Sequence, residues 1–172
     1  MAPKDSAPAK SGELVIERVF DAPRELVWRA WTEPERMMRW WGPKDFTCPH
    51  CEIDFRVGGR WFSSMQSPEF NDGRPIWAIG VYREIVPLER IVTTDCFADE
   101  HGNVVPASHY GMEGDFPLEM LVTVTFEEVE DGKTRMTLRH AGLPTGEHRE
   151  GANEGWGSSL DKLAAYLAEA QA

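Results

Sequence analysis

Histidine and cysteine are the side chains of this sequence best suited to chemistry. His140 ends the segment 134–140, in which Met136 and Leu138 alternate with polar residues. A regular strand would point these three side chains to one face. A neutral imidazole in an apolar interior can orient a ligand carbonyl or act as a base. A buried histidine can equally be structural, and the sequence does not reveal its partner.

A C-P-H-C motif at residues 48–51 places two thiols three positions apart. Redox motifs of this spacing normally lie at a helix start, where the dipole lowers a thiol pKa, but this one enters a predicted strand. As a zinc site it supplies two ligands, and Cys96, His101 or His109 would have to complete the set from distant segments. We therefore expect two incidental cysteines, no metal and no cofactor.

The C-terminal segment 147–169 is the element around which the rest of the chain is arranged. It carries an amphipathic helical pattern. Its apolar residues recur at three- and four-residue spacing, so one face needs a surface to cover it. The residues that form this face are Trp156, Leu160, Leu163, Ala164 and Leu167.

Three glycines, Gly151, Gly155 and Gly157, surround Trp156. A glycine inside a helix costs about 1 kcal/mol relative to alanine, so their presence needs a reason. One interpretation is that the helix begins near residue 153 or 158 and that the glycines let its backbone approach a sheet. The other is that they leave space beside Trp156 for something that is not protein.

The upstream chain reads as a strand, two short helices and then five or six consecutive strands. Prolines at positions 23 and 34 start the two helices, and turn residues separate the strands. Consecutive strands joined by short turns form an antiparallel sheet, which would curl around the final helix and leave an aromatic-lined hollow. The predicted strands are 13–20, 46–57, 60–65, 76–86, 90–98, 117–129 and 134–140.

Size and charge restrict the class of protein. The 172 residues suit one domain at 13–172 after a disordered tail at 1–12. A formal net charge of −11 argues against nucleic acid as a partner. No apolar run approaches the roughly 18 residues of a membrane helix, and the N-terminus lacks a secretory signal, so we expect no membrane insertion. Three cysteines suit a reducing compartment, and we expect a cytoplasmic protein.

Five segments carry a resemblance to a known family. They resemble the SRPBCC superfamily, in the branch similar to the C-terminal domain of the activator of heat-shock-protein-90 ATPase. The resemblance implies an α+β helix-grip fold of the START and birch-pollen-allergen type, in which a curved antiparallel sheet wraps a long C-terminal helix around an apolar cavity. The segments are VFDAPRELVWRAWTEPERMMRWWGP (19–43), CEIDFRVGGRW (51–61), GVYREIVPLERIV (80–92), VTVTFEEVEDGKTRMTLRH (122–140) and GWGSSLDKLAAYL (155–167).

The first functional hypothesis is a binding protein for a small hydrophobic or aromatic molecule held between the sheet and the C-terminal helix. Such pockets are mostly apolar with a few polar groups that fix orientation. Ordinary core packing explains any single candidate, so only the set is informative. From strand alternation and the architecture that the resemblance implies, we expect near the cavity Trp31, Trp41, Phe46, Trp61, Met65, Trp77, Phe97, Met120, His140, Trp156 and Leu160.

Two other classes of function are open. One is a cyclase- or hydrolase-type enzyme, which would use His140 or a histidine of the segment 99–117, since no nucleophile, phosphate-loop, dinucleotide or metalloprotease motif occurs. That segment would be either a lid over the cavity or an exposed polar insertion. The other is an interaction protein that stimulates a chaperone ATPase. The co-chaperone's separate N-terminal domain has no counterpart in these residues, which weakens this hypothesis. Its candidate partners are a chaperone and a second copy of the chain.

Overall fold

The fold is an antiparallel β-sheet with a long C-terminal helix across its inner face, as seen in a computed structural model that describes residues 13–114 and 116–172. The predicted tail at 1–12 lies outside these residues. The elements in chain order are β1 (Glu13–Phe20), α1 (Arg24–Thr32), α2 (Pro34–Met37), β2 (Thr47–Ile53), β3 (Arg60–Gln66), β4 (Ile76–Val86), β5 (Arg90–Ala98), β6 (Met120–Val129), β7 (Lys133–Ala141) and α3 (Glu147–Ala170).

The strand order across the sheet is β1-β7-β6-β5-β4-β3-β2, with every neighbouring pair antiparallel. The first and second strands therefore lie at opposite edges, and α1 and α2 carry the chain between them. The sheet curls into a half-barrel, because each strand twists relative to its neighbour and one face must cover α3. This arrangement confirms the predicted α+β helix-grip fold.

The two short helices begin at the predicted prolines. Pro23 caps α1, and Pro34 lies in the first turn of α2, where its fixed φ suits a helix start. The buried face of α1 consists of Val27, Trp28, Ala30 and Trp31. Trp28 belongs to this face because its ring packs edge-on against Phe126 of the sheet.

The central strands supply the floor of the core. The predicted inward faces of β6 and β7 are buried in full, including His140 at the end of β7. Above them, three leucines of α3 lie fully or almost fully buried, so this part of the interior is solid. The buried residues of the two strand faces are Met120, Val122, Val124, Phe126, Met136, Leu138 and His140, and the leucines are Leu160, Leu163 and Leu167.

Helix α3 is continuous from Glu147 to Ala170, so the predicted segment 147–169 is helical and the interpretation with a start near residue 153 or 158 is wrong. Gly151, Gly155 and Gly157 all lie inside the helix. A Cβ atom built on Gly151 would meet no atom within 4 Å, so this glycine does not serve close backbone packing. The helix instead faces open space here. No helix of the described chain is long and apolar enough to cross a membrane.

Candidate ligand-binding cavity

A cavity of about 480 Å³ lies between the N-terminal half of α3 and the inner face of the sheet. Strands β3 to β7 form its floor, the segment 42–46 one wall, and residues before β6 another. Most of its lining atoms are apolar. The lining residues are Trp41, Gly42, Pro43, Phe46, Ser63, Met65, Phe70, Ile76, Ala78, Asp95, Phe97, Met112, Phe116, Met120, His140, Leu143, Glu147, His148, Gly151, Ala152, Gly155, Trp156 and Ser159.

A wall of tryptophans separates the cavity from the solid core. Trp41 and Trp156 line the cavity and meet edge-to-face, with ring centroids 5.4 Å apart. Behind them, Trp31 stacks on Trp156 with centroids 6.2 Å apart, and Trp40 is fully buried. The Trp40 indole N–H donates to the carbonyl of Ala30 at 3.0 Å, which satisfies its buried polar group. The wall is therefore a packed and rigid boundary.

The predicted site residues divide into two groups in the structure. Seven of them line the cavity: Trp41, Phe46, Met65, Phe97, Met120, His140 and Trp156. The other four lie outside it: Trp31, Trp61, Trp77 and Leu160. Trp31 and Trp61 are held behind the wall, and Leu160 is fully buried in the solid part of the core.

Two of these outside positions follow from strand geometry. Trp77 alternates with Ile76 and Ala78, which face the cavity, so it points to the opposite side of the sheet and stacks on Phe62. Trp61 faces inward, but its indole N–H donates to the hydroxyl of Thr93 at 2.7 Å, deep in the core. The prediction therefore missed the direction of Trp77 and the depth of Trp61.

One end of the cavity is polar. The indole N–H of Trp156 donates to Nδ1 of His140 at 3.0 Å. The other ring nitrogen, Nε2, lies 3.5 Å from Oδ2 of Asp95. All three side chains line the cavity, although they come from β5, β7 and α3.

Burial changes the ionisation of both titratable groups at this end. It lowers the pKa of His140 below its ordinary 6.5, with the nearby Asp95 charge opposing the shift. It raises the pKa of Asp95 above its ordinary 3.8, with His140 opposing. Both shifts favour the uncharged form of the side chain. The polar end therefore favours neutral hydrogen-bonding groups over an ion pair.

Asp95 is the main site residue that the sequence analysis missed. Strand β5 alternates, so Asp95 shares a face with Phe97, which was predicted at the cavity. The sequence could have indicated Asp95, because its carboxylate lies two residues before an aromatic residue that was predicted at the cavity. In the sheet, Asp95 pairs with Met120 and His140 pairs with Val122, so the two groups face each other across β6.

Lys162 ties helix α3 to the cavity wall. Its ammonium group donates to the carbonyl oxygens of Gly42 and Phe46, both at 2.9 Å, and to that of Pro43 at 3.4 Å. Burial lowers the pKa of Lys162, and the Cys48 thiol opposes the shift. These bonds hold the segment 42–46 against the helix and so fix the width of the cavity.

The segment 99–117 contributes two apolar residues, Met112 and Phe116, to the cavity lining. Its histidines do not line the cavity; His101 is exposed at its surface. The hydroxyl of Tyr110 accepts a hydrogen bond from the backbone N–H of Trp77 at 3.1 Å and donates to the carbonyl of Ala98, so this part is attached to the sheet. Its predicted role as a lid stays a prediction.

The cysteine motif lies on β2, as predicted, and all three cysteines are free thiols. A register shift in β2 between Thr47 and His50 interrupts the regular alternation of this strand. A hydrogen bond from Cys51 lowers the pKa of Cys48, whereas the pKa of Cys51 is raised. Within residues 13–114 and 116–172, no group of three or more metal-ligating side chains forms.

The curved sheet, the long helix and the cavity between them define a helix-grip protein. The family described as "Activator of Hsp90 ATPase homolog 1-like protein" matches residues 21–168, and the chain belongs to this family. The predicted resemblance is thereby confirmed. No curated protein is similar enough to count as a relative of this chain.

Solved structures show the same fold. Protein CV1439 from Chromobacterium violaceum is 31% identical. The match covers 91% of this chain and 96% of that protein, with a TM-score of 0.73. Protein NE0264 from Nitrosomonas europaea is 26% identical over 92% of this chain and 96% of its own, with a TM-score of 0.71. The AHSA1 protein SPO3351 from Silicibacter pomeroyi is 26% identical, and the match covers 91% of this chain and 97% of that protein, with a TM-score of 0.69.

Proposed function

We propose that this protein binds a small hydrophobic or aromatic molecule in the cavity between the sheet and α3. The observation that carries the proposal is the cavity itself, about 480 Å³ of mostly apolar space bounded by aromatic rings. A volume of this size falls in the range of small-molecule sites. The predicted ligand-binding residues Trp41, Phe46, Met65, Phe97, Met120, His140 and Trp156 would contact the ligand.

The composition of α3 supports this proposal. Gly151 and Gly155 line the cavity from inside the helix, although alanine at either position would favour the helix by about 1 kcal/mol. A Cβ atom on Gly155 would make ordinary contact with Pro43 at 3.5 Å, and one on Gly151 would meet only empty space. Small residues here keep the cavity open at a cost to helix stability.

The test is a titration with phenylnaphthylamine, an uncharged apolar probe whose fluorescence rises in apolar surroundings. Saturable binding is expected, together with quenching of the Trp41 and Trp156 fluorescence. The variant Gly151→Leu adds a bulky side chain at the exposed edge of the cavity and should weaken binding at least about tenfold, whereas Gly151→Ala leaves room and should bind as the parent does. If neither this probe nor a wider set of apolar compounds binds the folded protein, the proposal is wrong.

An acid–base enzyme is the second candidate, and one observation favours it. Asp95 and His140 are two titratable groups that face one cavity within 3.5 Å of each other, as proton transfer to a bound substrate would require. Uptake of solvent deuterium into a bound carbonyl compound tests it. Exchange that Asp95→Asn abolishes would support an enzyme, and no exchange with any bound carbonyl compound would leave binding alone.

We further propose a cytoplasmic location, which the three free thiols support. A chaperone or a second copy of the chain stays a candidate partner. For the chaperone, a chaperone ATPase assay is the direct measurement, and an unchanged rate on addition of this protein would remove that hypothesis.

A further inference from the structure

His140 has a defined tautomer, because of the residue that it contacts. The Trp156 indole nitrogen carries a hydrogen that it can only donate, and it lies 3.0 Å from Nδ1 of His140. Nδ1 must therefore be the unprotonated acceptor. In the neutral ring the hydrogen is on Nε2, and protonation of Nδ1 would break the bond to Trp156.

The Nε2 hydrogen has no hydrogen-bond acceptor anywhere in the described part of the chain. Its nearest carboxylate oxygen, Oδ2 of Asp95, lies 3.5 Å away, beyond the usual length of such a bond. His140 is only 5% exposed and its Nε2 atom is itself buried, so neither water nor a ligand acceptor reaches this donor until the neighbouring Asp95 side chain moves aside. A buried donor without an acceptor is costly in a folded protein.

The surroundings of this donor restrict the charge of any ligand. The charged or titratable residues that line the cavity are Asp95, Glu147, His140 and His148, and no lysine or arginine is among the lining residues that the structure describes. An anionic group would face two carboxyl groups without a cation to balance it. A cationic group would be attracted by these carboxyl groups but could not accept the Nε2 hydrogen. The ligand end at this position is best satisfied by an uncharged acceptor such as a ketone or ether oxygen.

The geometry points to a specific ligand class, and this inference rests on the proposed function: the cavity takes an uncharged apolar or aromatic molecule that carries a hydrogen-bond acceptor, and His140 Nε2–H donates to that acceptor. Trp156 is the positioning residue that fixes the tautomer. The remaining length of the ligand lies along Trp41 and Trp156, toward Gly151 and Phe116.

The test compares two probes of nearly the same shape, methyl naphthyl ketone and isopropenylnaphthalene, which differ by an oxygen in place of a methylene group. The protein should bind the ketone about tenfold more tightly, equivalent to about 1.4 kcal/mol. Naphthoate and naphthylmethylamine, the charged counterparts, should bind more weakly than the ketone. Binding is measured by quenching of tryptophan fluorescence.

Two variants assign the preference to one residue. His140→Phe should reduce the preference for the ketone to about one while the hydrocarbon still binds. The matched control His101→Phe replaces an exposed histidine outside the cavity and should keep the tenfold preference. Long-range proton–nitrogen correlation NMR reads the tautomer in the parent protein, so the inference remains testable if His140→Phe does not fold.

The outcomes separate this inference from the proposed function. Equal binding of ketone and hydrocarbon, tighter binding of either charged probe, or a hydrogen found on Nδ1 overturns the inference but leaves a cavity that binds apolar molecules. Failure of all four probes and of phenylnaphthylamine overturns both. A ketone preference that His140→Phe removes and His101→Phe keeps supports the assignment.

Discussion

The two halves of helix α3 lie over the same sheet but bound different interiors. Toward its C-terminus, Leu160, Leu163 and Leu167 fill the space completely. Toward its N-terminus, Gly151, Ala152 and Gly155 leave about 480 Å³ unfilled. The backbone is helical throughout, so the two halves differ in the size of the side chains that α3 turns toward the sheet and not in helical structure. A helix-grip fold can thus be solid at one end and hollow at the other without any change of architecture.

Shortening a side chain in the solid half should have the largest effect. Leu163→Ala removes a fully buried side chain, and the lost contacts and the new void should lower the free energy of unfolding by about 2–5 kcal/mol. Urea unfolding measures this loss. Leu121→Ala, at a leucine that is 40% exposed, is the matched control and should cost far less. Equal losses for both variants would contradict a solid C-terminal half.

Enlarging a side chain should lower stability where the interior is solid and change it little where the interior is hollow. Ala30→Leu adds volume beside the fully packed tryptophan wall and should cost about 1–3 kcal/mol, because a close-packed core has no room for it. Ala152→Leu projects into the cavity and should cost little stability while weakening probe binding. Thermal unfolding and probe titration of both variants check this pair. A large stability loss in Ala152→Leu would show that the cavity is already filled.

The polar end of the hollow half should show a pH dependence. Because the folded pKa of His140 is lowered, its contribution to stability is present above about pH 6.5 and is lost as the pH falls below that value. Asp95 acts with the opposite sign, since its raised pKa favours folding at lower pH. In the parent protein the two effects partly offset each other.

The variant Asp95→Asn should make the pH dependence of stability that comes from His140 measurable. It removes the charge that opposes the His140 shift, so stability should fall with decreasing pH by at most about 1.4 kcal/mol per pH unit. Urea unfolding from pH 7 downward measures the slope. Other ionisable groups, Glu147 and His148, also line the cavity, so the double variant Asp95→Asn/His140→Phe is the control. The same slope in both proteins would assign the effect to other groups.

Loss of the Lys162 clamp, the hydrogen bonds that tie α3 to the segment 42–46, should have the smallest effect. Lys162→Met keeps the aliphatic stem but removes the hydrogen bonds to Gly42, Pro43 and Phe46. The group is partly exposed, so we expect a loss of about 1 kcal/mol in stability and a loss of a few-fold in probe affinity as the wall loosens. Lys133→Met, at the first residue of β7, is the control for removal of a charge. Unchanged affinity in Lys162→Met would show that the clamp does not define the cavity.

Much of this fold could be predicted because its signals are local. The alternation in β6 and β7 identified their buried faces, and the prolines at positions 23 and 34 located the two short helices. Helix α3 occupies the predicted segment 147–169, but one of the two interpretations of its glycines was wrong. The glycines near Trp156 suggested a late start, because helix propensity considers each residue in isolation, whereas the folded helix continues through them over empty space.

The candidate site could be predicted only in part. Seven of the eleven proposed residues line the cavity, since strand alternation and the apolar face of α3 give direction. Trp77 points to the other side of the sheet, because both alternating faces of β4 carry apolar residues and alternation alone does not choose between them. Trp61 and Leu160 face inward but are shielded by neighbouring side chains, and depth of this kind depends on residues far away in the chain.

The sequence by itself determined the periodicity of each element, the charge of the chain and the identity of the apolar faces, because each of these depends on neighbouring residues. Only the tertiary structure decided that the interior is hollow beside Gly151. It alone brought Asp95, His140 and Trp156 together at one end of the cavity. The physical reason is that a void and a hydrogen bond between distant elements depend on sheet register and helix placement, which no local pattern encodes.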